Sequence, residues 1–231
     1  MSADVVSFSV ITKNQGILTK EFSIDQSGAL KKDSGKCKLA VGSVKRVDIE
    51  FKNVGKVLAG LELNQAITLG IPSIPEGELV AAGMQGEYPG AITRTKDQFQ
   101  FANSFMIYFD YDPPPGKPSL TRESLIKELR ALHPALNTAA MLWRPSSSSF
   151  IYAEGKELTG LTGQHVYVPC KNPDGLESFI STLKCECWFR DLGWIMVSVA
   201  GTALERVIFD TAVFSPERLV FEAGAKLAEG L

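Results

Sequence analysis

The segment Ser104–Asp112, SFMIYFDYD, restricts the fold of this chain more than any other stretch. Five apolar residues follow one another, and two aspartates separated by a tyrosine close the run. In an extended strand, successive side chains point to opposite faces of the sheet. We therefore predict a buried strand that ends in two carboxylates, and the charge of these carboxylates requires a partner.

The same alternation places Asp110 and Asp112 on one face, about 7 Å apart along the strand, with Met106 and Tyr108 behind them. Two carboxylates on one buried face raise each other's pKa unless a cation lies between them. Oxygen ligands favour Mg²⁺ or Mn²⁺, and a pair of such ions about 4 Å apart serves phosphoryl transfer. The alternative is a strand that ends in an ordinary polar turn, because short motifs recur by chance. The opposite face carries Phe105, Ile107 and Phe109.

Composition excludes several classes of protein. With 231 residues, of which 45% are hydrophobic, the chain can bury one large core or two small ones. A net charge of −2 gives no overall basic surface for nucleic acid, so a polyanion would need a local groove. No apolar run of about 18 residues and no signal peptide is present, so we expect a cytoplasmic protein without membrane contact. Four cysteines and two histidines predict reduced, buried thiols rather than disulfides or zinc sites.

Hydrophobic periodicity divides the chain into two predicted units. Residues 1–100 contain a strand at 4–12, a hairpin loop at 25–36 and a short helix at 54–64, which indicate an N-terminal α/β subdomain. Residues 101–231 have the order β-α-β-β-β-α-β-β, typical of an RRM-like catalytic palm in which a mixed sheet has its helices on one side. The predicted fold class is therefore α+β (mixed α/β).

The two helices of the second unit carry start signals. The first, at 120–132, has Thr121 as a plausible N-cap. The second, at 174–189, has Asp174 and Glu177 in capping-box spacing. The remaining strands are predicted at 138–145, 149–154, 163–170, 194–200 and 205–214.

Three further features extend the chemistry of the aspartates. Arg144 stands beside the serine run Ser146–Ser149, and a guanidinium with hydroxyls suits a triphosphate, although a serine run alone is usually a solvated loop. His165 is a candidate to bind a phosphate or orient a metal-bound water, with a satisfied core histidine as the alternative. Asp210 ends the apolar run VIFD and would complete a two-metal site, unless it merely terminates a strand.

The order of these motifs carries a resemblance. FDYD, then RPSSSS and GQHVYV, then VIFD resemble the three motifs of the archaeo-eukaryotic primase superfamily, an acidic DxD, a Ser/His strand and a hydrophobic run ending in Asp. The similarity is greatest to primase-polymerases of prophages, plasmids and genomic islands. It extends to the segments LTKEFSIDQSGALKKDSGKC, AITRTKDQF, YAEGKELTGLTGQHVYV and SPERLVFEAGA.

The resemblance implies a template-directed nucleotidyltransferase, a primase and DNA polymerase that makes or extends primers on single-stranded DNA from NTPs or dNTPs during replication of a mobile element. It also implies a helicase domain or partner, and a chain that is the catalytic part of a longer replication protein. Carried over by position, the catalytic metal ligands for two Mg²⁺ or Mn²⁺ ions would be Asp110, Asp112 and Asp210.

The same resemblance assigns the nucleotide contacts to Arg144, Ser146, Ser148, His165 and Arg218. Arg94 and Arg206 are further candidates, with a structural salt bridge as the alternative for each. In many relatives the serine and histidine lie within a few residues of each other, whereas residues 150–164 separate them here. The hydroxyl next to His165 therefore belongs either to the serine run or to Thr159 or Thr162.

Two other functions remain open from the residues. A DxD glycosyltransferase would pair Mn²⁺ with a nucleotide-sugar, but no glycine-rich nucleotide loop precedes the DxD strand, and the serines and His165 would have no role. A non-catalytic replication-initiation module would bind single-stranded DNA on its sheet face through stacking aromatics. Its candidate aromatics are Tyr108, Trp143, Phe150 and Tyr152.

Overall fold

The computed structural model describes residues 5–231, apart from the side chain of Lys36. The predicted first strand began at Asp4, which lies outside these residues. Within them the helices are α1 (Phe51–Ala59), α2 (Arg122–Ala131), α3 (Pro134–Asn137) and α4 (Leu176–Phe189). The strands are β1 (Val5–Lys13), β2 (Glu21–Ile24), β3 (Leu30–Asp33), β4 (Val41–Glu50), β5 (Gln65–Thr68), β6 (Ile71–Pro72), β7 (Glu76–Val80), β8 (Ile92–Thr93), β9 (Phe99–Gln100), β10 (Ser104–Tyr111), β11 (Leu142–Pro145), β12 (Ile151–Ala153), β13 (Lys156–Thr159), β14 (Gln164–Lys171), β15 (Gly193–Val197), β16 (Ala203–Val207), β17 (Leu219–Val220) and β18 (Lys226–Leu227). The predicted α+β class is confirmed.

A six-stranded sheet forms the first layer, in the order β17-β5-β1-β4-β7-β8. It is mixed, because β7 and β8 run parallel while its other pairs are antiparallel. Strand β1 lies inside the sheet and is buried on both faces. Phe8 packs with Val54 and Leu58 of α1, and Ile11 packs with Val44 on the other side.

The predicted DxD strand is β10, and it belongs to a second sheet in the order β10-β14-β11. The residues Phe105, Ile107 and Phe109 face α2 and α4, where Leu129 and Leu183 are fully buried. Met106 and Tyr108 face the first sheet. The strand is therefore buried on both faces, with its side chains divided as the alternation predicted.

The second sheet also shows where the sequence prediction differs from the structure. Its helices lie on one side, as predicted, but both of its strand pairs are antiparallel. Two other sheets among the described residues are mixed, the six-stranded sheet and the three-stranded sheet β18-β2-β3, in which β18 runs parallel to β2. Sheet direction depends on how distant strands pair, which hydrophobic periodicity does not encode.

The helix starts test two capping predictions. Thr121 is the N-cap of α2, and its side chain accepts a hydrogen bond from the Ser124 amide, as predicted. The capping box at Asp174 is wrong, because Asp174 lies inside a 3₁₀ turn whose cap is Asn172. Asn172 has a φ of 57°, and its side chain accepts from the Asp174 amide, so the chain turns before α4 begins.

The end of the chain returns to the first unit. Strand β17 pairs with β5, and β18 pairs in parallel with β2. The predicted boundary at residue 100 stays a prediction, and strands on both sides of it share sheets. Residues 219–227 thus connect the two layers beside the end of β10.

Two expectations concern the chain as a whole. All four cysteines are free, and Cys187 is buried as predicted, whereas Cys185 is exposed. Cys37 and Cys170 are half-buried. The expectation of buried thiols therefore holds fully only for Cys187 among the four, and it is wrong for Cys185 because residues two apart on α4 point in different directions. No helix among residues 5–231 is long and apolar enough to cross a membrane.

Candidate active site at the end of strand β10

The register of the second sheet brings together three residues that the sequence singled out. Asp110 lies opposite His165, and His165 lies opposite Arg144 on the next strand. Residues paired across strands project from the same face of a sheet. All three therefore project toward the first sheet, just beyond the buried rings of Tyr108 and Tyr167.

A backbone hydrogen bond brings Asp210 to the same place. Its amide donates to the carbonyl oxygen of Asp110 at 2.9 Å. The strand predicted over 205–214 ends at Val207, because Asp210 starts a 3₁₀ turn in which its carboxylate accepts from the Ala212 amide at 2.9 Å. A guanidinium nitrogen of Arg218 lies 3.9 Å from the other carboxylate oxygen of Asp210. Arg206 lies in the β15–β16 hairpin, opposite Trp194.

The three aspartates interact electrostatically. Burial raises the pKa of Asp110, and the charges of Asp112 and Asp210 raise it further, against the opposing effects of His165 and a hydrogen bond from Tyr108. A cation between the carboxylates would relieve this repulsion. As the side chains stand, no three His, Cys, Asp or Glu residues in the described part of the chain are arranged to hold one ion. The donor chemistry, three carboxylates with one of them largely buried, fits Mg²⁺ or Mn²⁺.

His165 is oriented by a residue that the sequence reasoning missed. Its Nδ1 contacts a carboxylate oxygen of Glu222, and its Nε2 lies 3.5 Å from a carboxylate oxygen of Asp110. Burial lowers the pKa of His165, but the charge and hydrogen bond of Glu222 outweigh this effect and raise it overall. Glu222 stands in the segment SPERLVFEAGA, and its signals in the sequence are this position and an acid among apolar residues.

The serine run forms a loop that lies against β14. The Ser146 amide donates to the Gly163 carbonyl at 2.8 Å, and the Ser149 hydroxyl lies 3.1 Å from that of Thr162. The Thr159 hydroxyl donates to the Ser148 carbonyl at 3.0 Å. Both alternative threonines thus hold the serine loop in place.

The segment between the serines and His165 folds as the hairpin β12–β13, which starts and ends at the loop. The Phe150 amide donates to the Gly160 carbonyl at 3.1 Å and closes it. A hairpin adds residues to the sequence without separating its two ends in space. Although residues 150–164 separate the serines from His165 in the sequence, Ser146 therefore still lies beside Gly163, two residues from His165.

Gly163 has no room for a side chain at this point. A Cβ atom there would lie 2.7 Å from a carboxylate oxygen of Asp112 and 3.0 Å from the Ser146 hydroxyl. We predict that Gly163→Ala displaces the Asp112 carboxylate. The rate of the reaction at this site should fall about tenfold, because a misplaced group lowers the rate even where the fold is intact. The unfolding midpoint should stay close to that of the wild type. Gly83→Ala is the control, since nothing lies within 4 Å of a Cβ at Gly83. Equal activity of the two variants would refute the prediction.

Lys20 is a second residue that the sequence reasoning missed. Its ammonium donates to the Ser148 hydroxyl at 3.2 Å. Burial and the nearby charge of Lys32 lower its pKa, while Asp112 and Asp110 raise it. Lys20 comes from the end of the loop before β2, 128 positions from Ser148. Its only signal in the sequence is its position in the segment LTKEFSIDQSGALKKDSGKC, to which the resemblance extends.

Arg144 is paired with Glu222, whereas the predicted phosphate contact requires a guanidinium that is free to bind an anion. Its Nε donates to the Glu222 carboxylate at 2.7 Å, and a terminal nitrogen donates to the Glu222 carbonyl at 3.4 Å. The side chain of Arg144 is about a quarter exposed. Its first role in this structure is to neutralise Glu222.

A basic cavity of about 660 Å³ lies beside Asp210. Lys38, Arg94 and Arg218 line it, with Glu217 as the acid. The Arg94 guanidinium donates to the Glu217 carbonyl at 2.8 Å, and burial lowers the pKa of Arg94. Through Arg218, the cavity adds positive charge next to Asp210.

The four aromatics proposed to stack on bases do not form one surface. Tyr108 is buried, and the indole of Trp143 lies under Arg122 and donates to Gln164 at 2.7 Å. Phe150 and Tyr152 are exposed on the β12 side of the hairpin. Both faces of the β10 sheet are covered, one by helices and one by the first sheet.

Fold and site together define an α+β protein with an acidic site, flanked by basic groups, between two sheets. Comparison of the chain with protein-family models, with curated proteins and with solved structures gave no significant match.

Proposed function

We propose that the protein is a template-directed nucleotidyltransferase, a primase-polymerase that makes or extends primers on single-stranded DNA. One observation carries the proposal: the backbone bond from Asp210 to Asp110 brings Asp210 beside Asp110 and Asp112, so that three aspartates from two distant segments meet at the end of one buried strand. Lys20, His165 and the serine loop lie beside them. Acidic ligands next to a cluster of cations and hydroxyls suit an Mg²⁺-bound triphosphate.

The three aspartates would hold the divalent ions. Bound Mg²⁺ or Mn²⁺ supplies positive charge to the transferred phosphoryl group and to the leaving pyrophosphate. Asp110 contributes the least exposed of the three carboxylates; burial raises its pKa most, and the charges of Asp112 and Asp210, which a cation would compensate, raise it further. Asp112 and Asp210 contribute carboxylates that are more open to the cleft.

The remaining groups would bind and orient the nucleotide. Lys20 and the hydroxyls of Ser146 and Ser148 border the aspartates on one side and would contact the triphosphate oxygens. Arg218 borders them on the other side, next to Asp210. His165 directs its Nε2 into the site, where it would donate to a phosphate oxygen once the nucleotide is bound.

The proposal includes partners and a cellular context. The template would be single-stranded DNA, the substrates NTPs or dNTPs, and the setting the replication of a mobile element in the cytoplasm, with a helicase as a further partner. The net charge of −2 predicts weak template binding by this chain alone.

A primer-synthesis assay tests the proposal. The protein is incubated with single-stranded DNA and labelled NTPs or dNTPs, with Mg²⁺, with Mn²⁺ or with a chelator. We expect labelled oligonucleotides that require template and divalent metal. Turnover of a nucleotide-sugar without incorporation would instead identify a glycosyltransferase. Salt-dependent DNA binding that needs no metal, again without incorporation, would identify a binding module.

A further inference from the structure

Glu222 is a buried acid at the junction of the two layers. It lies between β17 and β18, and its side chain is 2% exposed. Burial of an ionised carboxylate is unfavourable unless charged partners and hydrogen bonds compensate it. The groups that compensate the charge of Glu222 therefore indicate its role.

Three donors from the second sheet surround the Glu222 carboxylate. One oxygen accepts from the Tyr167 hydroxyl at 2.6 Å and contacts Nδ1 of His165, while the other accepts from Nε of Arg144 at 2.7 Å. His165 and Arg144 are directly paired across strands, and Tyr167 is two residues further along β14. Both oxygens of the carboxylate therefore have partners within the protein.

The contact with Nδ1 fixes the imidazole ring of His165. A histidine whose Nδ1–H is held by a carboxylate presents its Nε2 in one direction. Here that direction is toward Asp110, at 3.5 Å. The edge of the ring also meets the face of Tyr108, with ring centres 5.1 Å apart, so the ring is held from two sides.

The segment that carries Glu222 is attached to the first unit on both sides. Before it, Val220 pairs with Ile67, and after it Lys226 pairs with Glu21. The Thr19 hydroxyl donates to the Gly224 carbonyl at 2.9 Å. Glu222 thus links the backbone next to Lys20 to the ring of His165.

The geometry points to Glu222 as the positioning residue of the site, which holds the His165 ring in the orientation that meets an anionic substrate, with Arg144 as its counter-charge. The inference deepens the proposed function and, for its effect on turnover, rests on it. Replacement by glutamine keeps the shape but sets an amide N–H₂ against either the guanidinium or the other two donors. We expect the Nδ1–H contact to weaken and the ring to lose its fixed orientation.

The first measurement needs no turnover. The chain has two histidines, so imidazole ¹⁵N and ¹H resonances of His165 are assigned by comparison with His133→Asn. We expect the wild type to show a far-downfield Nδ1–H proton, and Glu222→Gln to lose it. Glu229→Gln, an exposed acid on the same segment, is the control and should leave the resonance unchanged. Persistence of the resonance in Glu222→Gln would overturn the inference, whatever reaction the protein catalyses.

The second measurement concerns nucleotide incorporation. Glu222→Gln should lower kcat about 10- to 100-fold, the usual effect of losing a group that orients another. The double variant Glu222→Gln/His165→Gln should be no slower than His165→Gln alone, because the two residues act through one ring. Multiplicative effects, or full activity of Glu222→Gln, would overturn the inference.

Tyr167→Phe separates positioning from simple stability. It removes one donor to Glu222 and leaves the contacts of His165 and Arg144 in place. Both variants should lower the unfolding midpoint, and Glu222→Gln should lower it more, because it also leaves the Arg144 guanidinium without its buried counter-charge. Activity is therefore compared at a temperature at which both variants are fully folded, and there Tyr167→Phe should stay close to the wild type while Glu222→Gln remains slow. Equal activity of the two folded variants would show a structural role only and refute positioning.

Discussion

Asp110→Asn should lower nucleotide incorporation at least about 10³-fold, an effect typical of removing a group that acts directly in catalysis. The substitution removes the buried carboxylate that would bind metal, and an amide is a far weaker ligand for Mg²⁺. The fold should tolerate it, because burial raises the pKa of Asp110 and its ionised form is therefore unfavourable in the folded protein. We expect the unfolding midpoint to stay the same or rise.

The measurement combines incorporation on a single-stranded template with Mn²⁺ binding followed by titration calorimetry. Asp97→Asn is a matched control on an exposed acid away from the site. Loss of both activity and Mn²⁺ binding in Asp110→Asn, with both retained in Asp97→Asn, is the expected pattern. An Asp110→Asn protein that keeps a tenth or more of the wild-type activity would exclude the aspartates as the metal ligands of this reaction.

Lys20→Met should raise the KM for the nucleotide about 10- to 100-fold, as expected for the loss of a charge-assisted phosphate contact. Methionine keeps the apolar stem that packs in the cleft but removes the ammonium that contacts Ser148. Burial and Lys32 lower the pKa of Lys20, so its charged form costs stability until an anion binds. Stability should therefore be unchanged or slightly higher in the variant.

Lys31→Met, on the exposed β3 strand of the same hairpin, is the control for a general loss of positive charge. Steady-state kinetics with varied nucleotide separates the two substitutions. A similar rise of KM in both would indicate long-range electrostatics rather than a contact by Lys20. Unchanged kinetics in Lys20→Met would remove Lys20 from the site.

The sequence by itself determined local features of single elements, namely which face of a strand is buried against which layer and where a helix begins. The alternation of β10 predicted which of its side chains face the helices and which face the first sheet. Thr121 predicted the start of α2, because an N-cap bonds to an amide three residues away. The same periodicity put Asp110 and the neighbouring Asp112 on one face.

Local sequence also misled where a turn replaced the expected element. Asn172 adopts a left-handed conformation, so the turn before α4 contains Asp174, which therefore does not cap the helix. The strand expected over 205–214 stops at Val207, and Asp210 reaches the site through a backbone bond and a 3₁₀ turn. In both cases a short 3₁₀ turn replaced the local structure that the sequence pattern predicted.

Only the tertiary structure decided which groups surround the aspartates. Glu222 reaches His165 across 57 positions and Arg144 across 78, and Lys20 reaches Ser148 across 128. Such contacts depend on the pairing of β17 and β18 with the first unit and on the register of β11 and β14. Hydrophobic periodicity indicates which face of an element is buried, but the pattern is the same whichever element covers that face. The identity of the neighbours is therefore fixed only when the whole chain packs.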